Sequence, residues 1–269
     1  MIAAPSTIET DLAGSGRATD AALPAAAMTL SGARDPAITR LRVLSGFDLR
    51  ISGRSVVVPS NVERILAYLA VRGRPQPRAT VAATLWMDTT DDRANANLRT
   101  ALWKARQAVG ECIVVCGNAL SLAPEVDVDL GRIVARSHRL LDAAADLHPE
   151  DHDPGDLVGD LLPDWDEEWI LFERERLRQL RIHALEALCH KLSMSGHGGR
   201  AVDVGLAAVS AEPLRESAQR VLIEAHLREG NVSEARRQYH LYRALLRDNL
   251  AIEPSEGLRD LVGLAATSH

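Results

Sequence analysis

The residues best suited to recognition chemistry lie on one side of a predicted helix between Arg93 and Gly110. This stretch, RANANLRTALWKARQAVG, contains no carboxylate. Its apolar residues recur at helical spacing and predict a buried stripe of Ala94, Leu98, Ala101, Leu102, Ala105 and Val109. The other side carries Asn97, Arg99, Thr100, Trp103 and Lys104. An ordinary solvated helix face mixes charges of both signs, whereas cationic and amide groups hydrogen-bond base edges and phosphates, so the pattern indicates a major-groove reader.

Each side chain on this face has an expected role. Arg99 and Lys104 suit guanine edges or phosphates, and Asn97 suits adenine, because their donors and acceptors match those edges. Thr100 and Trp103 face the same groove. Trp103 has a second interpretation, in which the indole packs on a surface between domains.

The elements around this helix predict a winged helix-turn-helix. Three β-rich runs at about 40–44, 47–52 and 55–58 are separated by Ser-Gly pairs and predict a small antiparallel sheet. Helices follow from Ser60 or Asn61 as cap to Gly73, over 78–86, and from Asp91 or Asp92 onward. Two strands around Gly117-Asn118 predict a hairpin, which serves as the wing.

Three further residues complete the predicted DNA site. Arg78 begins the second helix, Arg93 lies at the start of the third, and Asn118 lies in the wing. We expect all three to hold phosphates, with Asn118 approaching from the minor-groove side.

Charge is distributed unevenly along the 269 residues, whose formal net charge is -6. Residues 38–126 carry 12 basic and 7 acidic residues, whereas residues 127–269 carry 17 and 26. A basic module is therefore followed by an acidic one, and a nucleic-acid footprint is expected only in the first. Three cysteines, the absence of a long apolar stretch and the lack of a signal-peptide pattern predict a cytoplasmic protein without a membrane partner.

Domain organisation follows from the same survey. Residues 1–37 are rich in Ala, Ser, Thr and Gly and predict a disordered leader, residues 38–126 the winged helix-turn-helix, and residues 127–269 a helical domain. In that domain a shift of 34 residues superposes Gly196 on Gly230 and Ala201 on Ala235, which is typical of tetratricopeptide helix pairs. We therefore predict a mostly α fold with a small β component. An alternative is a compact helical domain without true repeats.

Other candidate chemistry is weaker. No nucleotide-binding glycine motif is present, and GHGGR at 196–200 suits a turn between helices, so we predict neither an enzyme nor a cofactor. The loop residues His148, Asp151, His152 and Asp153 offer metal ligands, but a loop of this density is usually solvated, and no metal is expected. Aromatic residues at helical spacing are expected to be core anchors of a long helix, namely Trp165, Trp169 and Phe172.

The stretch LWMDTTDDRANANLRTALWKARQAVG resembles the loop and recognition helix of the Streptomyces antibiotic regulatory protein type of transcriptional activator. Later segments resemble its second half, the bacterial transcriptional activation domain: FERERLRQLRIHALE, EPLRESAQRVLIEAHLREGNVSEARRQYHLYRALLRDNL and LAIEPSEGLRDL. The resemblance covers roughly residues 38–265 in order. Its specificity lies in having both halves adjacent. Trp103 stands where many relatives keep a basic residue, which implies a different base preference.

The resemblance implies an activator that binds direct repeats near a promoter, as a dimer on DNA, and contacts RNA polymerase holoenzyme including its sigma factor. It also implies control of a secondary-metabolite cluster. The loop acids Asp88, Asp91 and Asp92 lie where related activators face polymerase, and helix capping accounts for one of them. The chain ending at His269 predicts that the ATPase and sensor domains of larger relatives are lacking. The rival from another class is a tetratricopeptide-type adaptor without sequence-specific DNA binding.

Overall fold

Alternating burial along short strands forms the first sheet of the computed structural model, which describes residues 39–264. The strands are β1 (Thr39–Arg42), β2 (Asp48–Ile51) and β3 (Arg54–Ser55), and Leu41 pairs with Leu49 on the buried face. A fourth strand, β7 (Val126–Val128), joins in parallel beside β1, so the order is β3-β2-β1-β7. The predicted leader at 1–37 lies outside the described residues. The predicted boundary between 126 and 127 falls inside β7.

The three helices and the hairpin follow in the predicted order. They are α1 (Ser60–Arg72), α2 (Arg78–Leu85) and α3 (Asp91–Val109), and the hairpin is β5 (Ile113–Cys116) with β6 (Ala119–Leu122). A two-residue strand, β4 (Gln76–Pro77), pairs with β6, which gives a second sheet in the order β4-β6-β5. Gly73 ends α1 with φ 61°, a conformation that glycine adopts without steric cost. The expected side-chain cap of α1 is wrong, because the helix begins directly after Pro59 and neither Ser60 nor Asn61 caps it.

After β7 the second half is built from helices joined by loops. Its helices are α4 (Asp129–Leu141), α5 (Glu168–Met194), α6 (Gly198–Ala211), α7 (Glu216–Arg228), α8 (Val232–Leu250) and α9 (Glu256–Leu264), with 3-10 turns at Pro149–His152 and Gly155–Val158. None of the helices between residues 39 and 264 combines the length and the apolar character that crossing a membrane requires.

The 34-residue period is real in three dimensions. Gly196 and Gly230 both have φ 78° at the turns that lead into α6 and α8. Ala201 and Ala235, five residues later, are both fully buried where each helix packs on its predecessor. The winged helix-turn-helix followed by a tetratricopeptide-like helical domain is therefore confirmed as the fold.

The acidic sequence predicted a solvated loop between α4 and α5, and this prediction is wrong for Asp151. Asp151 is fully buried, because its carboxylate accepts hydrogen bonds from the guanidinium groups of Arg136 and Arg139 on α4 and from the His148 backbone N–H. His148 and Asp153 are exposed, and His152 is half-buried with its ring centroid 4.7 Å from that of His197. The segment is thus an ion-paired anchor for α4.

One hydrophobic core joins the two halves. It extends continuously from Leu41 in β1 to Ala225 in α7, and a smaller cluster holds α8 and α9 to Ile223. Trp169 is buried and Trp165 partly so, as predicted, but the prediction for Phe172 is wrong: this side chain is 75% exposed. Helical spacing places residues on faces of α5, and Phe172 falls on the face that no other described element covers.

Candidate nucleic-acid interface

The recognition face of α3 is exposed along its length. The buried side consists of Ala94, Leu98, Ala101, Ala105 and Val109, while Leu102 is only partly buried and marks the edge of the predicted stripe. On the opposite side the predicted residues are accessible to a partner: Arg99, Thr100, Trp103 and Lys104 are exposed, and Asn97 is half-buried. Trp103 is 64% exposed, so its alternative role of packing between domains is wrong in this structure.

Hydrogen bonds within α3 occupy part of the polar face. The Thr100 hydroxyl donates to the Ala96 carbonyl at 3.0 Å, which leaves only acceptor capacity on that oxygen. The Asn95 amide similarly donates to the Asp91 carbonyl at 2.8 Å. We therefore expect Asn97 to make more kinds of hydrogen bond to a partner than Thr100, because its amide both donates and accepts.

The wing is attached directly to the start of α2. The Arg78 backbone N–H donates to the Asn118 carbonyl oxygen at 2.8 Å, and β4 pairs with β6 through Gln76 opposite Leu120. Two of the predicted phosphate-holding residues, Arg78 and Asn118, are thus neighbours. The strand before the turn, β5, ends in Cys116, which is exposed, whereas Cys112, one residue before this strand, is buried.

A groove of about 810 Å³ lies between α3 and the wing. It brings together Arg78, Arg99 and Trp103, with Val114 and Val115 of β5 on the other wall. Arg93, Asn97, Thr100, Lys104 and Asn118 do not line it. The predicted site therefore divides into a groove and an adjoining exposed helix face.

Arg106 also lines the groove, and the sequence argument did not select it. Its guanidinium lies 3.2 Å from the Glu111 carboxylate, an exposed pair. Spacing could have revealed this residue, since Arg106 follows Trp103 by three positions and Arg99 by seven, which places all three on one side of a helix.

The site carries several cations that form no ion pair with a carboxylate in the described part of the chain. Of the basic residues in 39–126, five form ion pairs with carboxylates in residues 39–264. The others form none there: Arg42, Arg54, Arg74, Arg78, Arg93, Arg99 and Lys104. Four of these seven belong to the predicted DNA site, so the recognition surface has cations available for phosphates or base edges.

Two of the three acids around the start of α3 behave as helix-end charges. Asp88, Asp91 and Asp92 are all exposed, and α3 begins at Asp91 after Thr90. No side chain caps the first turn of α3 by hydrogen bonding, so Asp91 and Asp92 act through their charge at the positive end of the helix. Asp88 lies outside the helix and has no such structural role in the described contacts.

An ion pair and an aromatic contact attach α1 of the winged helix-turn-helix to the start of α5. Glu167 accepts hydrogen bonds from Arg64 Nε at 2.7 Å and Arg64 Nη2 at 2.8 Å, and also from the Trp169 indole N–H at 2.7 Å. The Trp169 ring lies edge-on to Tyr68 of α1, with centroids 5.2 Å apart. A bidentate guanidinium–carboxylate pair is geometrically specific, so α1 is oriented as well as attached.

A second attachment runs from α4 to the first sheet. Both carboxylate oxygens of Asp129 accept from the Val43 N–H, at 3.0 and 3.2 Å, and Oδ2 also accepts from the Leu44 N–H at 3.1 Å. Asp129 is buried at the first position of α4, where its charge also suits the helix dipole. The scaffold of α3 is therefore held by both α4 and α5.

These elements define a two-part architecture, a winged helix-turn-helix joined through its sheet and α1 to a tetratricopeptide-like domain. Residues 127–263, about half of the chain, match the family described as the bacterial transcriptional activator domain. The chain belongs to this family. The resemblance to the Streptomyces antibiotic regulatory protein type of activator is thereby confirmed.

Two known proteins are similar to the chain over both parts. Regulatory protein AfsR of Streptomyces coelicolor is 29% identical, over 78% of this chain and 22% of its own length. The chain thus spans about a fifth of that relative. A solved structure of Mycobacterium tuberculosis EmbR in complex with a low-affinity phosphopeptide superposes with a TM-score of 0.68 at 20% identity, covering 86% of this chain and 65% of that one. The similarity to EmbR is a similarity of fold.

Proposed function

We propose that the protein is a sequence-specific DNA-binding activator whose α3 enters the major groove while the β5–β6 wing contacts the backbone beside it. The observation that carries this proposal is the set of cations on and around α3 that form no ion pair with the carboxylates the structure describes. Arg99 and Lys104 lie on the exposed face, and Arg78 lies beside the wing. An exposed helix face that keeps its positive charge beside a groove is suited to binding a polyanion.

The roles proposed for individual residues follow from their positions. Asn97, Arg99, Thr100, Trp103 and Lys104 face base edges. Arg78, Arg93 and Asn118 hold phosphates on either side, since they lie at two helix starts and at the wing turn.

The first experiment selects sequences bound by the full chain from a library of random duplexes, and then measures affinity for the selected duplex at two salt concentrations. We expect a repeated motif and a steep loss of affinity at high salt, because phosphate contacts release counterions. No enriched sequence, together with affinity indifferent to salt, would contradict the proposal and favour the adaptor function.

Arg99→Ala tests the assignment of the reading face. We expect a loss of about 1–3 kcal/mol in binding free energy and a relaxed preference at one base pair. Arg54→Ala is the matched control, because Arg54 is also an exposed arginine without an ion pair but lies on β3, in the other sheet. Equal losses from both substitutions would show a general charge effect and not base recognition.

The proposal extends to polymerase recruitment at promoters of a secondary-metabolite cluster, with two copies bound to direct repeats. The family resemblance supports this extension, and the exposed Asp88 beside α3 suits a polymerase contact. Asp88→Ala is expected to retain promoter binding and to lose transcript yield in a reconstituted reaction with RNA polymerase holoenzyme and its sigma factor. An unchanged yield would remove Asp88 from that contact. A protein with this task works in the cytoplasm, where the chromosome is.

A further inference from the structure

A cavity of about 420 Å³ lies where α1 meets α4 and α5. Its walls are mainly apolar and come from three helices and one loop: Ala70 and Val71 of α1, Leu130 and Val134 of α4, Leu177 and Leu180 of α5, and Leu161. This volume is within the range of small-molecule sites, and such sites occur preferentially between domains.

Gly131 lies on the wall of this cavity. It lies in the first turn of α4, where alanine would favour the helix by up to about 1 kcal/mol. A Cβ at Gly131 would meet no atom within 4 Å, so packing in the protein does not require glycine there. Gly131 is exposed, so the space beside it is accessible to a larger side chain or to a ligand.

The polar rim carries an excess of positive charge. Arg72 and Arg176 both bond to one carboxylate, that of Glu173, at 2.5 and 3.3 Å. Among residues 39–264 no acceptor bonds to the buried Arg72 Nε, and the Arg72 side chain contributes to the cavity wall. A buried donor without an acceptor is costly, and two guanidinium groups sharing one carboxylate leave donors for a second anion.

We propose that this cavity binds a small carboxylic acid with an apolar body, held by Arg72 and Arg176 at the rim and by the leucine and valine walls within. The apolar body replaces water against the walls, while the carboxylate adds the second anion that the two guanidinium groups lack. Because α1 belongs to the winged helix-turn-helix and α4 and α5 to the helical domain, the acid would contact both.

Protein-observed NMR of the full chain tests this proposal with two matched probe pairs, octanoate with octanol and phenylbutyrate with phenylbutanol. We expect the acids to shift signals of Val71, Val134 and Leu177, and the alcohols to bind more weakly. Gly131→Leu places a side chain in the open space and should abolish these shifts. A thermal midpoint of this variant no lower than that of the parent chain shows that it remains folded.

Arg176→Gln provides a second variant that does not fill the cavity. It should weaken binding of the acids by roughly threefold to tenfold and leave binding of the alcohols unchanged, since only the acids lose a charge-assisted bond. Arg237→Gln is its control, because Arg237 is equally exposed and pairs with a glutamate three residues before it, far along the chain on α8. Absence of shifts with both acids, or shifts that persist in Gly131→Leu, would overturn the proposal.

A regulatory consequence rests on the proposed function. If DNA binding holds, the acid should change operator affinity in the parent chain and not in Gly131→Leu. The NMR result stands independently of DNA, so the failure of one proposal is distinguishable from the failure of the other.

Discussion

Asp151 shows how a single side chain organises the loop between α4 and α5. Burial alone would raise the pKa of its carboxyl, but hydrogen bonds from Arg139, the His148 N–H and Arg136 outweigh burial and lower that pKa. The folded pKa lies below the ordinary value of 3.8, so the charged form is favoured in the folded state. Asp151 therefore stabilises the fold at neutral pH, and this contribution is lost as pH falls through the folded pKa.

Asp151→Asn should lower the free energy of unfolding at pH 7 by about 3 kcal/mol, because it removes the anion between two partly buried guanidinium groups. Urea unfolding at several pH values measures the effect, and the gap between variant and parent should narrow below about pH 4. Glu150→Gln, the exposed neighbour, should change little. A gap that stays constant down to the lowest pH would contradict the role of the charge.

Trp103 separates recognition from stability. Because the indole is largely exposed, Trp103→Ala should leave the free energy of unfolding within about 0.5 kcal/mol of the parent chain. Affinity for the selected DNA should nevertheless fall, since the ring forms one wall of the groove between α3 and the wing. Denaturant melts and gel-shift titrations compare the two quantities. A destabilised variant would mean that the indole packs inside the protein.

At the scale of elements, the attachment between α1 and α5 depends on Glu167. Glu167→Ala removes the acceptor for Arg64 and for the Trp169 indole, and we expect a loss of roughly 3 kcal/mol because a partly buried cation is left without its partner. Asp166→Ala, one residue earlier and exposed, is the control. Urea unfolding followed by tryptophan fluorescence measures both, and equal losses would show that the ion pair is not responsible.

The contact of α6 with its neighbours depends on Gly205. A Cβ there would lie 3.0 Å from Leu222 Cδ1, 3.2 Å from Leu222 Cα and 3.2 Å from Cys189 Sγ. Gly205→Ala should therefore destabilise the protein by about 1 kcal/mol, despite the better helix propensity of alanine. Gly199→Ala in the same helix meets no atom within 4 Å and should be neutral or stabilising. Thermal midpoints of the two variants measure this difference, and equal midpoints would contradict the close contact at Gly205.

Local spacing predicted the elements well and their partners poorly. The 3-4 spacing in α3 and the turn signals around Gly117 depend on residues close in sequence, so both could be recognised. By contrast, β7 has only three residues and forms by pairing with β1, more than 80 positions earlier. The predictions for Asp151 and Phe172 were wrong because burial depends on tertiary contacts. Asp151 is buried by arginines of another element, and Phe172 lies on a face that no described element covers.

The DNA site was predictable as a surface but not as a groove. Charge and spacing identified Arg99, Trp103 and Lys104 on one face of α3. They could not show that β4 ties the wing to α2, because that pairing joins a two-residue strand to one some 40 residues later. The separation of the site into a groove and an adjoining face comes only from this tertiary contact.

At the scale of the whole molecule, the continuous core predicts a hierarchy of stability. The winged helix-turn-helix and the helices up to α7 share one core, whereas α8 and α9 pack in the smaller cluster. We expect amide protons of α9 to exchange through local opening at lower free energy than those of α1 and α5, which should exchange together. Hydrogen exchange under native conditions measures this order. Separate opening of α1 and α5 would contradict a shared core.

The three thiols of the chain differ in a way that has a practical consequence. Burial raises the pKa of Cys189 to about 12 and also raises the pKa of Cys112, so neither forms the reactive thiolate at neutral pH. Cys116 is exposed at the end of β5, two residues before Asn118. A maleimide dye would therefore attach at one position without any mutation, and its emission would report directly when the wing meets another molecule.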